Sequence, residues 1–179
     1  MFHKNNVLHN LFLTNSSLFM LSIKFSIDGL LDETIEDLGY IAGKRAPDED
    51  FFFRVAPCEE NRDLLLRFLE SQFHELAFAV GPRLLSMSVD DRTLSLSLAT
   101  EGEEWIPLES LLTGLFNDFL RDGTICRWLM LYSSALAAEW SAKVSSLQSS
   151  IAEFCNHSDS DKVESTAPPY AGPRRISPI

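Results

Sequence analysis

Apolar residues recur every three or four positions along four stretches of the chain, the spacing of a single helix face. The first predicted helix begins at Ser26 or Asp28, since either side chain can cap it, and ends at Gly39 or Gly43. The second covers about 58–81 and has an apolar stripe on one side with charged residues on the other. Both patterns indicate helices with one face in a core.

A stop at Asp122-Gly123 separates a third predicted helix, 107–121, from a fourth that Thr124 caps and that continues to residue 155. A helix of about 30 residues spans roughly 45 Å, which exceeds what a compact domain of this size needs. We therefore expect its apolar stripe to extend beyond the core and to bind another molecule. The stripe contains Leu129, Tyr132, Leu136, Trp140, Val144, Leu147, Ile151 and Phe154.

Between the second and third helices, leucine, methionine and valine alternate with serine over about 84–99. Asp90-Asp91-Arg92 interrupts the alternation as a turn, so the segment is predicted to be a β-hairpin with one aliphatic and one serine face. A lone hairpin is marginal in water, and its aliphatic face must therefore lie on helices. Residues 44–57 look irregular. The predicted fold is mainly α with a small β-hairpin (α+β): four helices, the last one long, packed on one antiparallel hairpin.

The chain divides into one helical domain, 20–155, between two segments of different composition. For 1–19 three interpretations stay open: a non-native start before translation at Met20, a disordered extension, or an export signal. Residues 156–179 contain half of the eight prolines together with serine and acidic residues, and are expected to be an extended or disordered tail.

The charge balance narrows the classes of partner. A net charge of −11 and a pI near 4.7 weigh against nucleic-acid binding and against anionic membrane surfaces. No run of about 20 apolar residues is present to span a bilayer. Three widely separated cysteines favour a reducing compartment over a disulfide framework.

The sequence matches no complete catalytic or metal-binding pattern. His74-Glu75 resembles the start of an HExxH zinc helix, but Phe78 stands where the second histidine should be. Neither a nucleophile motif nor a glycine-rich phosphate loop is present. The sequence predicts no enzyme activity, no cofactor and no metal.

Partner-binding candidates are therefore exposed aromatic residues and the C-terminal segment. Three consecutive phenylalanines, 51–53, cannot all enter one core, so either two rings insert or one is left for a partner. The tail is either a disordered end or a docking peptide whose arginines meet the acidic surface of a neighbouring copy. The candidates are Phe52, Trp105, Trp128, Trp140, Ile151, Phe154, Tyr170, Arg174, Arg175 and Ile176.

The order of these patterns also carries a resemblance. An IxFxI-like segment at Ile23–Ile27, an acidic helix at Glu60–Leu76, a serine-rich hairpin, an Arg-Trp to Glu-Trp helix over 127–140 and a Pro-Arg tail follow one another. In this layout the chain resembles uncharacterised proteins encoded in prophages of Bacteroides-type bacteria. The resemblance covers about 20–179 and implies a place in virion assembly, such as head–tail connection or tail completion. It also implies a bacterial cytoplasmic or virion location, and it supplies no catalytic residue.

Two functions follow from the sequence. The first is a non-enzymatic assembly or interaction protein that uses the long C-terminal helix and the tail, with self-association or another phage structural protein as partner. The alternative is a small ligand-binding or regulatory module with a pocket between the hairpin and the helices. No nucleic acid, membrane or small-molecule substrate is indicated.

Overall fold

The computed structural model describes residues 18–45, 49–101 and 109–156. In this part of the chain, helices surround one face of a small antiparallel sheet, which confirms the predicted mainly α, α+β class. The elements are β1 (Leu18–Ser26), α1 (Ile27–Arg45), α2 (Glu49–Val55), α3 (Arg62–Val80), β2 (Leu84–Val89), β3 (Thr93–Glu101), α4 (Glu109–Met130) and α5 (Ser134–Asn156).

The predicted hairpin is confirmed as β2 and β3, and the structure adds a third strand. Asp90 forms the turn by accepting hydrogen bonds at Oδ1 from the backbone of Arg92 and Thr93. Strand β1 pairs antiparallel with β3, giving the order β1-β3-β2. Its alternating apolar residues lie on the same buried face as those of β3: Leu21, Ile23, Phe25, Leu94, Leu96 and Leu98. The opposite face is rich in serine, as the hairpin pattern predicts.

Strand β2 departs from the predicted alternation. A register irregularity lies between Leu84 and Ser86, and Leu85 is exposed although it was predicted to lie on the aliphatic face. Met87 and Val89 pair with Leu96 and Leu94 and so keep the predicted face, although Val89 is exposed. A bulge shifts the side-chain alternation because one extra residue reverses the sides of the strand.

Helix α1 starts where the first of the two caps was expected, because Ser26 Oγ accepts a hydrogen bond from the backbone N–H of Gly29. The helix ends beyond both predicted stops, since it passes Gly39 and Gly43 and reaches Arg45. The expectation that 44–57 is irregular is wrong for 49–55, which form α2. This short helix lies against α1, and the ring of Phe52 is next to Gly43.

The predicted break at Asp122-Gly123 is also wrong, because both residues lie buried inside α4. Thr124, expected as a cap, donates its hydroxyl to the carbonyl of Leu120 within the same helix. The chain turns instead at 131–133, where the backbone N–H of Ser133 donates to the carbonyl of Leu129 at 2.8 Å. Ser133 Oγ then accepts a hydrogen bond from Leu136, the geometry of an N-cap for α5.

This turn changes the meaning of the C-terminal apolar stripe. Helix α5 has 23 residues rather than about 30 and folds back along α4, with Cys126 contacting Ala137 and Asp122 contacting Lys143. Most of the stripe therefore packs on the core of its own protomer. At the far end of α5, Arg83 donates to the carbonyl of Cys155 and so satisfies one helix terminus. The expectation that the apolar stripe extends beyond the core and remains free for another molecule is therefore wrong.

Within the described ranges, no helix combines the length and apolar content needed to cross a bilayer.

Candidate functional site

The predicted partner-binding residues separate into three groups in the structure. Two of them are core residues: Trp128 is 1% exposed, with Nε1 donating to the carbonyl of Val55 at 2.8 Å, and Ile151 is fully buried. Their burial leaves no side-chain surface for a partner, which corrects their assignment. Phe52, Trp140 and Phe154 are partly buried and pack against the core. The remaining candidates lie outside the described residues: Trp105, Tyr170, Arg174, Arg175 and Ile176.

Trp140 lines a cleft of about 490 Å³ between α1, α4 and α5. Four α1 residues at positions 37, 40, 41 and 44 form one wall, and four α5 residues at positions 136, 139, 140 and 143 form the other. Both sets have the i, i+3, i+4, i+7 spacing of a single helix face, so each helix turns one complete face toward the cleft. Arg121 of α4 lies between the walls.

Tyr40 and Trp140 supply the aromatic surface of this cleft, one from each wall. Tyr40 is exposed and Trp140 partly buried. A lysine lies over each ring: Lys44 Nζ is 4.5 Å from the Tyr40 centroid, and Lys143 Nζ is 4.6 Å from that of Trp140. These cation–π contacts fix the orientation of the rings.

Carboxylates surround Arg121 on several sides. Its guanidinium lies 3.2 Å from Asp37, 3.7 Å from Glu33 and 2.9 Å from Asp118, so it ties α1 to α4. A guanidinium engaged by this many acids is poorly placed to bind an anionic ligand. Arg121 therefore holds the floor of the cleft. The lining carries two carboxylates, those of Asp37 and Glu139, and three cations, Arg121, Lys44 and Lys143.

Asp122 forms the buried end of the same network. Its side chain is 0% exposed, and Oδ2 lies 2.8 Å from Nζ of Lys143 on α5. Burial raises the pKa of the Asp122 carboxyl above its ordinary value, although Lys143 and Arg121 oppose the rise. The pair fixes the register of α5 on α4, because an unpaired carboxylate at this position would be costly.

A second cavity, of about 260 Å³, lies between α3, α4 and α5 around Gln72, Gly123 and Arg127. Arg127 is occupied there by Glu75 and by Oε1 of Gln72. Among the residues that the structure describes, no group of three or more His, Cys, Asp or Glu side chains is placed to hold a metal ion.

Trp140 was predicted from the sequence as a partner-binding residue, whereas the other lining residues Tyr40, Lys44, Arg121 and Lys143 were not. One signal was available: Tyr40 and Lys44 lie four residues apart, on the side of α1 next to its apolar stripe. That α5 is the neighbour of this face was not predicted, because the turn at 131–133 was not recognised in the sequence.

The predicted site of the alternative function, between the hairpin and the helices, is not where this cleft lies. The cleft is formed by three helices, with no strand residue in its lining.

Comparisons of the chain with protein-family models, with curated proteins and with solved structures found no match.

Proposed function

We propose that this protein is a non-enzymatic interaction module whose cleft between α1 and α5 binds an extended peptide segment of a partner chain. The observation that carries the proposal is the pair of full helix faces, each bearing one aromatic residue, on the two walls of the cleft. Aromatic-lined grooves are a recurring way to bind proline-rich peptides, since such peptides lose little conformational entropy on binding.

The charges on the N-terminal half of α1, next to the cleft, favour a basic peptide. Five carboxylates lie between residues 28 and 37 of α1. Arg62 contacts Asp28 and Asp32, while Arg121 contacts Glu33 and Asp37. Two arginines thus contact four of the five carboxylates, so the N-terminal half of α1, beside the cleft, keeps an excess of negative charge. The lining of the cleft itself carries two acids, Asp37 and Glu139, and three cations, Lys44, Arg121 and Lys143. A ligand that combines proline with arginine fits both the aromatic and the acidic surface.

This proposal keeps the assembly role and changes the surface that performs it. The prediction from sequence placed binding on the projecting end of a long helix, whereas here it lies on the side of α5 beside α1. Self-association and a phage structural partner remain proposals, supported by the resemblance to prophage proteins. A cytoplasmic or virion location is likewise proposed. Capsid or tail genes beside the gene for this chain are the expected finding; an unrelated metabolic operon would contradict the virion role.

Peptide titration tests the cleft directly. The probe is a labelled peptide with the sequence of 166–179, and the protein is the full chain with its own Pro168, Pro169, Arg174 and Arg175 replaced by alanine, so that its tail does not compete. We expect saturable binding by fluorescence anisotropy, weakened at least tenfold by Trp140→Ala or Tyr40→Ala.

Phe78→Ala is the matched control, because Phe78 is 83% exposed on α3 and does not line the cleft. The affinity of the Phe78→Ala variant for the peptide should equal that of the protein with an unsubstituted cleft. Absence of saturable binding, or equal losses in the cleft variants and in the Phe78 control, would overturn the proposal. Circular dichroism of each variant separates a lost contact from a lost fold.

A second candidate, a small-molecule site, is favoured by one observation. The cleft volume of about 490 Å³ lies within the range of ordinary ligand pockets. A ligand that binds only the folded chain must raise its melting temperature. A thermal-shift screen should then find a compound whose effect disappears in Trp140→Ala; a screen without such a compound rejects this candidate.

A further inference from the structure

We propose that the cleft is occupied by the C-terminal segment of the same molecule, with Pro168, Pro169 and Tyr170 between the aromatic walls and Arg174 and Arg175 on the acidic face of α1. The inference rests on the proposed function and names the segment that fills the site. Its support comes from the distances, the charges and the covalent connection between the segment and α5.

The first support is reach. Helix α5 ends at Asn156, and Trp140 lies sixteen residues earlier, about 24 Å back along the helix axis. The far end of the cleft, at Leu136, is about 30 Å back by the same measure. Twelve residues, 157–168, connect the end of α5 to the first proline of the pair and span up to about 40 Å when extended. The connection is therefore long enough to reach either end of the cleft.

The second support is the match of spacing between the segment and the wall. Arg174 follows Pro169 by five residues, about 16 Å in an extended conformation. Glu33 and Glu36 precede Tyr40 by seven and four residues on α1, about 10 and 6 Å along the helix. Both exposed glutamates thus lie within range of the two arginines once the prolines are beside Tyr40.

The third support is the charge pattern of the whole chain. The net charge is −11, yet Arg174 and Arg175 form an adjacent cationic pair next to proline. Five carboxylates lie at 28–37 of α1 and Arg62 and Arg121 contact four of them, so this half of the helix keeps an excess of negative charge. Lys44 lies at the other end of the same wall. Attraction between the two surfaces is screened by salt, so docking should weaken as ionic strength rises.

The covalent connection favours the segment of the same molecule over that of a second copy. A covalent connection long enough to reach the site gives an effective concentration up to the millimolar range, above the micromolar concentrations of a typical solution experiment. The consequence is regulatory: an outside partner must displace the tail before it can bind.

Competition measures this occupancy. The labelled 166–179 peptide is titrated into the wild-type full chain and into the full chain carrying Pro168→Ala, Pro169→Ala, Arg174→Ala and Arg175→Ala. A tail that fills nine-tenths of the clefts lowers the apparent affinity of the wild type tenfold. We expect at least this difference, and we expect it to shrink in 0.5 M salt.

The outcomes separate this inference from the proposed function. Equal and saturable affinities in the two chains would overturn the intramolecular docking while leaving the peptide-binding cleft intact. No binding to the substituted chain would overturn both. Light scattering tests whether the segment docks on a second copy instead. An oligomer that grows with protein concentration and disappears with the tail substitutions would show docking between copies and would contradict docking within one molecule.

Discussion

Replacing Gly123 with alanine would place a methyl group against the buried side chain of Gln72. A Cβ built on Gly123 lies closer than 3.0 Å to Cγ, Cδ and Nε2 of Gln72, which is 1% exposed. The glycine is therefore required by the close contact between α3 and α4, and it does not end the helix. The sequence predicted a helix break at Gly123, whereas the structure places this residue inside α4.

Two opposing free-energy changes decide the result of Gly123→Ala. Alanine stabilises a helix interior by about 1 kcal/mol relative to glycine. Overpacking of a filled interior costs about 1–3 kcal/mol, because Gln72 has to leave its position. We expect the substitution to lower the free energy of unfolding by up to about 2 kcal/mol.

The sign should reverse when Gln72 is first shortened. In a Gln72→Ala background the space against α4 is open, so Gly123→Ala should raise the free energy of unfolding by about 1 kcal/mol. Urea denaturation of the four proteins, followed by far-UV circular dichroism, gives the coupling free energy between the two sites, expected at about 1–3 kcal/mol.

Additive effects would refute this reasoning. If Gly123→Ala changes stability by the same amount in both backgrounds, the methyl group does not meet Gln72. A stabilising effect in the wild-type background would show that residue 123 lies in a helix without close contact to α3. An equal destabilisation in both would favour the sequence-based interpretation of Gly123 as a stop.

Two further predictions concern buried titratable groups. Because burial raises the pKa of Asp122, the folded state binds its proton more tightly than the unfolded state, and this group lowers stability progressively as pH rises from about 4 through its folded pKa. Asp122→Asn should therefore gain stability relative to wild type between pH 4 and 7 in urea denaturation, and a difference independent of pH would contradict the assignment. Burial also raises the pKa of Cys126, and that of Cys155 to about 11, while Cys58 is exposed. A thiol reagent at pH 8 should modify Cys58 quickly and the other two only after unfolding; equal rates for all three in the native chain would show that the packing around α5 is wrong.

The sequence was sufficient wherever local pattern and local structure agree. Serine and leucine alternate through the hairpin, and Asp90 closes its turn with its own side chain, so both were predictable without knowledge of the rest. The apolar stripe of α3 was equally easy to predict, because its spacing and its buried face are properties of one helix.

Failures occurred where a distant contact overrides a local signal. Asp122-Gly123 has the local pattern of a helix end, but both residues lie inside α4. Lys143 of α5 pairs with the buried Asp122, and Gln72 of α3 packs against Gly123. Neither partner can be inferred from its position in the sequence. The actual turn at Ser133 had a usable signal, a serine before a new apolar repeat, but the continuous 3–4 spacing of the stripe concealed it.

Strand β1 shows a different kind of omission. The alternation of Leu21, Ile23 and Phe25 indicates a strand, but it precedes a helix and lies far from its partner β3 in the sequence. Pairing of distant strands depends on the buried face of the whole sheet. The cleft was missed for the same reason, since it exists only once α5 folds back beside α1.

The indole N–H signal of Trp140 offers the most direct measurement of the central claim, that the cleft between α1 and α5 binds a proline- and arginine-bearing peptide. The ¹⁵N-labelled full chain with its tail substituted would be titrated with the 166–179 peptide and followed by ¹H–¹⁵N correlation spectra. We predict a saturable shift of the Trp140 signal and none of the Trp128 signal, since the Trp128 Nε1–H donates to the carbonyl of Val55 in the core. Shifts confined to residues outside the cleft, or a Trp140 signal that does not move at saturating peptide, would contradict the account.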